Sequence, residues 1–394
     1  MSVTKLFMFE KPLGMRDTLP VLYEAKMNTR NRMMKEIQGW GFQFLETPAL
    51  EYYETVGEAS AILDQQLFKL LDQQGHTLVL RPDMTAPIAR VAAAKLLKQH
   101  SPLRLAYSAN VYRAQQREGG RPAEFEQIGV ECIGDPTISA DAETIALLAS
   151  ALEKAGLQHF QISLGHIGFV QDVFINILGN EERASICRKF LYEKNYVGYR
   201  EHVKSLPLSS IDKGRLLQLL TLRGRENVLE KAEELLEENQ GKQALNQLKE
   251  LWQQLKEYDV EHFVTFDLTL VSHMSYYTGI LFEIYANNIG FPIGNGGRYD
   301  RLFEKFGWNS PATGFAIRID RLLEALGEPE SLQPISCILF SSERKKEAIL
   351  TAKEMRSEGK RVVLQDINGV SNLDLFTKSY AQVEYFLGTR KEES

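Results

Sequence analysis

The chain has 394 residues, 44% of them hydrophobic and 25% charged, with a formal net charge of −6 at pH 7. A chain of this length buries large cores and predicts two or three domains. Its acidic balance provides no global field that draws in nucleic acid, although a local basic groove can sit on an acidic protein. No apolar run is long enough to cross a membrane, and Met1–Glu10 carries no signal-peptide pattern, so a cytoplasmic location is expected. Cys132, Cys187 and Cys337 are scattered, with no CxxC and no histidine nearby. They read as buried thiols in a reducing compartment, and neither a disulfide nor a metal site is expected.

Lys11-Pro12-Leu13-Gly14-Met15-Arg16-Asp17 is an opening segment punctuated by proline and glycine. Leu19–Trp40 follows helical spacing, with Leu22, Ala25, Met33, Ile37 and Trp40 on one stripe, and Gly41 ends it. Phe42–Tyr52 predicts a strand, confined to an edge or a bulge by Pro48. Leu67–Leu71 and Thr77–Arg81 read as a hairpin around Asp72-Gln73-Gln74-Gly75. In Leu80–Arg90, Asp83 and Thr85 fall where a strand hands over to a helix. Either can cap orphan N–H groups, and Asp83 can equally accept from a ligand amine. The basic, Ala-rich run Ala86–Lys98 reads as a solvated helix face.

Val111–Gly134 holds a strand carrying Arg113, a turn at Gly119-Gly120 and a second strand from about Phe125. Period two places Gln127, Gly129 and Glu131 on one face and Ile128, Val130 and Cys132 on the other. The apolar face must pack, so the polar face meets solvent or a pocket, and Gly129 leaves a shallow floor. Ser139–Gly156 is a helix with Asp141 and Glu143 in its first turn, and His159–Gly165 returns as a strand. Asp172–Tyr258 is a charged helical stretch. In Leu270–Asp300, Phe282, Ile284 and Ala286 alternate as a half-buried strand after Tyr276 and Tyr277, and Gly294-Asn295-Gly296-Gly297 reads as a turn. Paired tyrosine hydroxyls beside bare glycine backbone suit a small polar ligand, and equally an ordinary sheet and turn. Glu328–Pro334 is a linker, followed by a small α/β tail over Ile335–Phe340, Glu343–Glu358, Arg361–Gln365 and Val383–Gly388.

LVSHMSYYTGILFE and GNGGRYD resemble the two signature stretches of histidyl-tRNA synthetases, and VYRAQQREGGRPAEFEQIGVECIG resembles their motif 2. GFQFLETPALE and ATGFAIRIDRLL are similar to motifs 1 and 3. The resemblance implies an α+β fold: a class II synthetase-like antiparallel sheet flanked by helices. It implies a core over 1–171 and 259–327, a helical insertion over 172–258 and a reduced anticodon-domain remnant over 328–394. It also implies that Asp83, Thr85, Arg113, Gln127, Glu131, Tyr276 and Tyr277 bind L-histidine. Arg113 would grip a carboxylate or an α-phosphate, a bidentate task suited to guanidinium.

The departures fall on the nucleotide and tRNA side. Ser272 stands where the synthetases carry the arginine that lies against the α-phosphate, and neighbouring His273 is a poor substitute. Gln115 and Ala123 replace a glutamate and a second arginine of motif 2. Arg318 occupies a glycine site of motif 3, Asp320 replaces glutamate, and Arg321 is kept where the synthetases stack it on adenine. Arg318 either fills nucleotide space or points to solvent.

This pattern of losses is similar to the synthetase-like regulatory subunits of ATP phosphoribosyltransferase. Membership would imply no catalytic residue, no cofactor and no functional tRNA binding. It would imply hetero-octamers with a short catalytic subunit, a homodimer through motif 1, and a part in the first step of histidine biosynthesis and its feedback inhibition by histidine. A divergent, active histidyl-tRNA synthetase is the rival reading. An ATP–pyrophosphate exchange assay with histidine separates the two: with Ser272 in place of the guanidinium no exchange above background is expected, and clear exchange would establish the enzyme.

Overall fold

The computed structural model describes residues 10–114, 122–236, 240–272, 276–327 and 334–388. By its internal contacts the chain divides into two compact units, Met1–Pro329 and Glu330–Ser394. Among the described residues no helix is long and apolar enough to cross a membrane.

The first unit begins with α1 (Pro20–Gly39), whose proline at the first position costs no hydrogen bond. Met33 and Ile37 are fully buried as the stripe predicts, but Leu22 is 42% exposed because the first turn lies off the core. The strand expected over Phe42–Tyr52 is two strands in two sheets, β1 (Gln43–Phe44) and β2 (Leu50–Tyr52). Pro48 cannot donate to a ladder, and the chain changes sheets across it. The expected hairpin is present: β3 (Lys69–Leu71) and β4 (Thr77–Leu80) pair antiparallel, and β2 joins the other side of β4. Next comes α2 (Thr85–Val91). Its Ala-rich run is only half solvated, since Ala86, Ile88, Ala89 and Ala92 are buried while Lys95 and Lys98 stay exposed.

The main sheet adds β5 (Leu103–Tyr112), β6 (Glu124–Ile133), β7 (Phe160–His166), β8 (Arg223–Gly224), β9 (Val264–Asp267), β10 (Ile280–Ala286), β11 (Gly294–Arg298) and β12 (Ala312–Arg318). Its nine strands run in the order β1-β5-β6-β12-β11-β10-β7-β9-β8. Pairing is antiparallel except at β1–β5 and β7–β9. The mainly antiparallel sheet with flanking helices is the architecture expected. The glycine-rich stretch at 294–297 is not a turn but strand β11, inside the sheet. A Cβ on Gly296 would fall 2.4 Å from both the Gly314 carbonyl and the Phe282 ring, so close strand packing is what these glycines permit.

One face of the sheet is covered by α1, α3 (Ile138–Ala155) and α10 (Ile319–Leu326). The helical stretch comprises α4 (Ile167–Leu178), α5 (Glu181–Tyr192), α6 (Tyr196–Ser205), α7 (Ser210–Leu219), α8 (Asn227–Glu233) and α9 (Gln240–Glu257). The short strand β8 interrupts it and pairs with β9. Phe169 and Phe174 of α4 and Leu248 and Leu251 of α9 share one apolar core with Ile162 and Leu164 of β7. A second core, holding Tyr107, Phe125, Tyr276, Tyr299 and Phe303, lies under α2.

In the second unit, β13 (Ile335–Phe340), β14 (Arg361–Asp366) and β15 (Gln382–Phe386) form a parallel sheet in the order β14-β13-β15. Parallel neighbours need crossovers, supplied by α11 (Lys345–Ser357) and α12 (Leu373–Thr377). Ile338, Phe340, Ala348, Ala352, Met355 and Val362 make its core.

A buried ion pair ties the main sheet to α3. Arg298, at the end of β11, donates from Nε to Asp141 Oδ2 at 2.9 Å and from Nη1 and Nη2 to the Asp135 and Thr137 carbonyls at 3.1 and 2.8 Å. Asp141 is fully buried, so its apparent role as a first-turn surface charge is replaced by this contact. Removing one partner strands the other charge out of water. Arg298→Leu is therefore expected to destabilise the protein by about 3–5 kcal/mol, measured as a lowered urea midpoint.

Candidate functional site

Asp83, Thr85, Arg113, Gln127, Glu131, Tyr276 and Tyr277 line one cavity, together with Tyr107, Asn295, Tyr299, Gly314, Phe315 and Ala316. The space they enclose, open solvent at the mouth included, is about 370 Å³. The sheet register explains the assembly. Across β6 and β12, Glu131 faces Gly314, Gly129 faces Ala316 and Gln127 faces Arg318, while Tyr107 of β5 faces Gly129 from the other side. Gly129 does not offer an open floor. A Cβ there would lie 2.1 Å from the Phe315 carbonyl and 2.5 Å from the Tyr107 hydroxyl, so Tyr107 fills the space the missing side chain leaves.

Both faces of β6 are buried, which places Gln127 and Glu131 among the most enclosed polar groups of the chain, 5% and 2% exposed. Glu131 accepts from Thr85 Oγ1 at 2.8 Å and from the Tyr299 hydroxyl. Burial nevertheless pushes its carboxyl up to about 8, with hydroxyl donors opposing and the nearby Asp83 charge adding to it. Asp83, at the β4–α2 junction, fulfils the capping reading with one oxygen: Oδ1 accepts from the Ala86 N–H at 3.0 Å. Burial raises its pKa as well. Its Oδ2, like Gln127 Oε1, is buried without a hydrogen-bond partner among the described residues.

Arg113 follows β5, donates from Nε to the Pro82 carbonyl at 2.9 Å, and has its pKa lowered by burial against the pull of Asp83. Tyr276 packs against Tyr277 and Tyr299 with ring centroids 5.1 and 5.7 Å apart, and Asn295 Nδ2 donates to the Tyr277 hydroxyl at 3.2 Å. Burial raises the pKa of all three phenols, so they stay protonated. The cavity thus sets a cluster of acceptors against one guanidinium. Tyr107, Asn295, Tyr299 and Phe315 escaped the sequence reading. Asn295 and Tyr299 lie inside GNGGRYD and Phe315 inside ATGFAIRIDRLL, so the motifs carried a signal for them; Tyr107 carried none and is paired to the site through strand register.

On the nucleotide side, Ser272 is half-buried, while Gln115, Gly119-Gly120, Arg121 and His273 lie outside the described residues. Ala123, where the synthetases carry a second arginine, is fully buried against the opening segment, and its N–H donates to the Gly14 carbonyl at 2.8 Å. Arg318 does not point to solvent. It pairs with Asp320 at 3.2 and 2.8 Å and lies 3.7 Å from the centroid of the Phe125 ring. A cation–π contact of this kind contributes about 0.5–2 kcal/mol. Arg321 lies over Phe291 and donates to the Pro292 carbonyl. Among the described residues one grouping of potential metal ligands occurs, Asp259, Glu261 and His262, at the surface. It shares no residue with the cavity, and no metal role is assigned to it.

Residues 14–322 match the family described as histidyl-tRNA synthetase, and residues 337–388 match the C-terminal domain described as that of histidyl-tRNA synthetase HisZ. A relative from Geobacillus sp. (strain WCH70), named ATP phosphoribosyltransferase regulatory subunit, is 65% identical over 389 residues, covering 99% of each chain. The crystal structure of an ATP phosphoribosyltransferase regulatory subunit/histidyl-tRNA synthetase from Bacillus halodurans is 57% identical with a TM-score of 0.92, covering 98% of this chain and 100% of that one. Histidyl-tRNA synthetase from Nostoc sp. PCC 7120, at 19% identity, has a TM-score of 0.79 over 94% of this chain and 88% of its own, a likeness of fold.

A carboxyl raised in the folded state binds a proton that the unfolded chain has released, so stability falls as pH rises from the unfolded value of 4.5 toward about 8. Glu131→Gln removes that dependence. Its melting temperature relative to the parent is expected to rise steadily between pH 5 and pH 8.5 in thermal scans, and a difference independent of pH would refute the assignment.

Proposed function

This chain belongs to the histidyl-tRNA synthetase-like family of ATP phosphoribosyltransferase regulatory subunits, and on that premise we propose that its cavity is a receptor for L-histidine that controls a separate catalytic subunit. The carrying observation is the pair of buried acceptors, Asp83 Oδ2 and Gln127 Oε1, that make no hydrogen bond among the described residues, in one cavity with Glu131 and Arg113. Buried acceptors without partners cost free energy that an incoming donor recovers. An amino acid whose ammonium and side chain both donate N–H, and whose carboxylate meets a guanidinium, fits that arrangement; histidine is such a ligand. Asp83, Gln127 and Glu131 take its nitrogen groups, Arg113 its carboxylate, and Thr85, Tyr276 and Tyr277 close around it.

No residue of this chain carries out the transfer. The partner is the short ATP phosphoribosyltransferase catalytic subunit, in a hetero-octamer located in the cytoplasm, making phosphoribosyl-ATP in the first step of histidine biosynthesis. The chain pairs with a second copy through the motif 1 region and does not bind tRNA productively. Leu50, Tyr52 and Leu70, each more than 40% exposed and aligned on one face of the β2–β4–β3 sheet, support that pairing. The insertion over 172–258 is a helical subdomain of the core, and 328–394 is a reduced remnant of an anticodon-binding domain. The loss of guanidinium at Ser272 and the engagement of Arg318 and Arg321 with their own chain disfavour a working synthetase.

The test is co-assembly with a short catalytic subunit and measurement of phosphoribosyl-ATP formation with and without histidine. Gln127→Ala and Arg113→Ala are each expected to weaken calorimetric histidine binding by about 10–100-fold, the worth of one hydrogen bond to a charged group, and to shift the inhibition curve equally. Unaltered inhibition in both variants would place the receptor site elsewhere.

A further inference from the structure

The cavity face of the sheet can be followed outward, pair by pair, along β6 and β12. Glu131 and Gly314 lie innermost, Gly129 and Ala316 follow, and Gln127 and Arg318 come next. Gln127 and Ala316 line the cavity; Arg318, opposite Gln127, therefore stands at its end. The next residue on this face of β6 is Phe125, 4% exposed, and it is flanked by two guanidiniums. Arg318 lies 3.7 Å from the ring centroid and Arg113 lies 5.4 Å from it.

Arg318 is held from two directions. The ring lies against its flat face, and Asp320, in the first turn of α10, accepts from its Nε and Nη2 at 3.2 and 2.8 Å. Its side chain is 13% exposed. A guanidinium restrained in plane by a two-bond carboxylate and out of plane by an aromatic ring is a wall and not a swinging surface group. To move aside it must break both Asp320 bonds and leave the ring.

We infer that Arg318 is a stopper that sets the length of the ligand at its carboxylate end. The site takes the free amino acid and refuses the same amino acid once its carboxyl is extended into a peptide or an ester. This rests on the orientation proposed above, with the carboxylate on Arg113. From Arg113 a ligand extended through its carboxyl heads toward the Phe125 ring, and the guanidinium of Arg318 already covers that ring. Exclusion by a built obstruction is a means of specificity separate from any added attraction.

Calorimetry on the full-length chain with L-histidine, L-histidinamide and the dipeptide amide His-Gly-NH2 tests this. Histidinamide and the dipeptide amide both carry a neutral carboxamide in place of the carboxylate and no C-terminal charge, so the ratio of their affinities reads the extension. The parent protein is expected to favour histidinamide over His-Gly-NH2 by about thirtyfold or more, and Arg318→Ala to bring the ratio within about threefold, a difference of the size pocket sterics produce. Asp320→Asn, which loosens the clamp without deleting the guanidinium, is expected to fall between, and it carries the test should Arg318→Ala not fold. A parent protein that binds both ligands alike, or variants that keep the parent ratio, would overturn the stopper while leaving histidine binding intact. No heat with L-histidine from the parent protein would defeat the receptor reading and the stopper with it.

Discussion

Glu131 sits on the inner face of a strand whose other face is also buried, and the cost of keeping a carboxyl there shapes the rest of the cavity. Thr85 reaches it from the start of α2 and Tyr299 from the residue after β11. Tyr299 directly follows Arg298, which is anchored to Asp141 at the start of α3. One buried acid thus links β6, the end of β11, the start of α2 and, through Tyr299, a buried ion pair. Disturbing any of them alters how well Glu131 is satisfied. Its carboxyl is nonetheless pushed up to about 8, so the internal hydroxyls do not fully compensate for its burial, and a donor from outside has something to gain.

The cavity and the neighbouring nucleotide side have opposite characters. In the cavity, acceptors remain open to a ligand. On the nucleotide side the described guanidiniums are engaged within the chain, Arg318 with Asp320 and Phe125 and Arg321 with Pro292 and Phe291, and Ala123 lies under the opening segment. On the proposed reading, recognition survives without the charges that would stabilise a transferring phosphoryl group. A receptor of this kind needs only a differential affinity between two states of its assembly, and a coupling of about 1–3 kcal/mol is ample for control. Nothing in that requirement calls for catalytic arginine, which accounts for how a hydroxyl can stand at position 272.

The residues that carry chemistry were legible in the sequence because short, ordered motifs hold them. LRPDMT, the stretch VYRAQQREGGRPAEFEQIGVECIG and the YYTG stretch brought seven residues to one cavity from three separated parts of the chain. The strand over Phe42–Tyr52 failed because a proline that merely limits one strand can equally divide two, and hydrogen-bond partners far along the chain decide which. The glycines at 294–297 read as a turn because local preference favours turns; the close approach of Phe282 and Gly314 makes them a strand. Asp83 met its capping reading with one oxygen, while the other is buried with no hydrogen bond among the described residues.

By itself, then, the sequence determined the alternation along β6, the Met33–Ile37 part of the α1 stripe, the glycine end of α3 and the identity of the acids, hydroxyls and guanidiniums that line the cavity, since these depend on neighbours a few residues away. Only the tertiary structure decided that Tyr107 fills the space at Gly129, that Asp141 is spent on Arg298, and that Arg318 turns inward onto Phe125. Each of these is a contact between strands or helices distant along the chain, set by sheet register and burial, and no local pattern of residues encodes it.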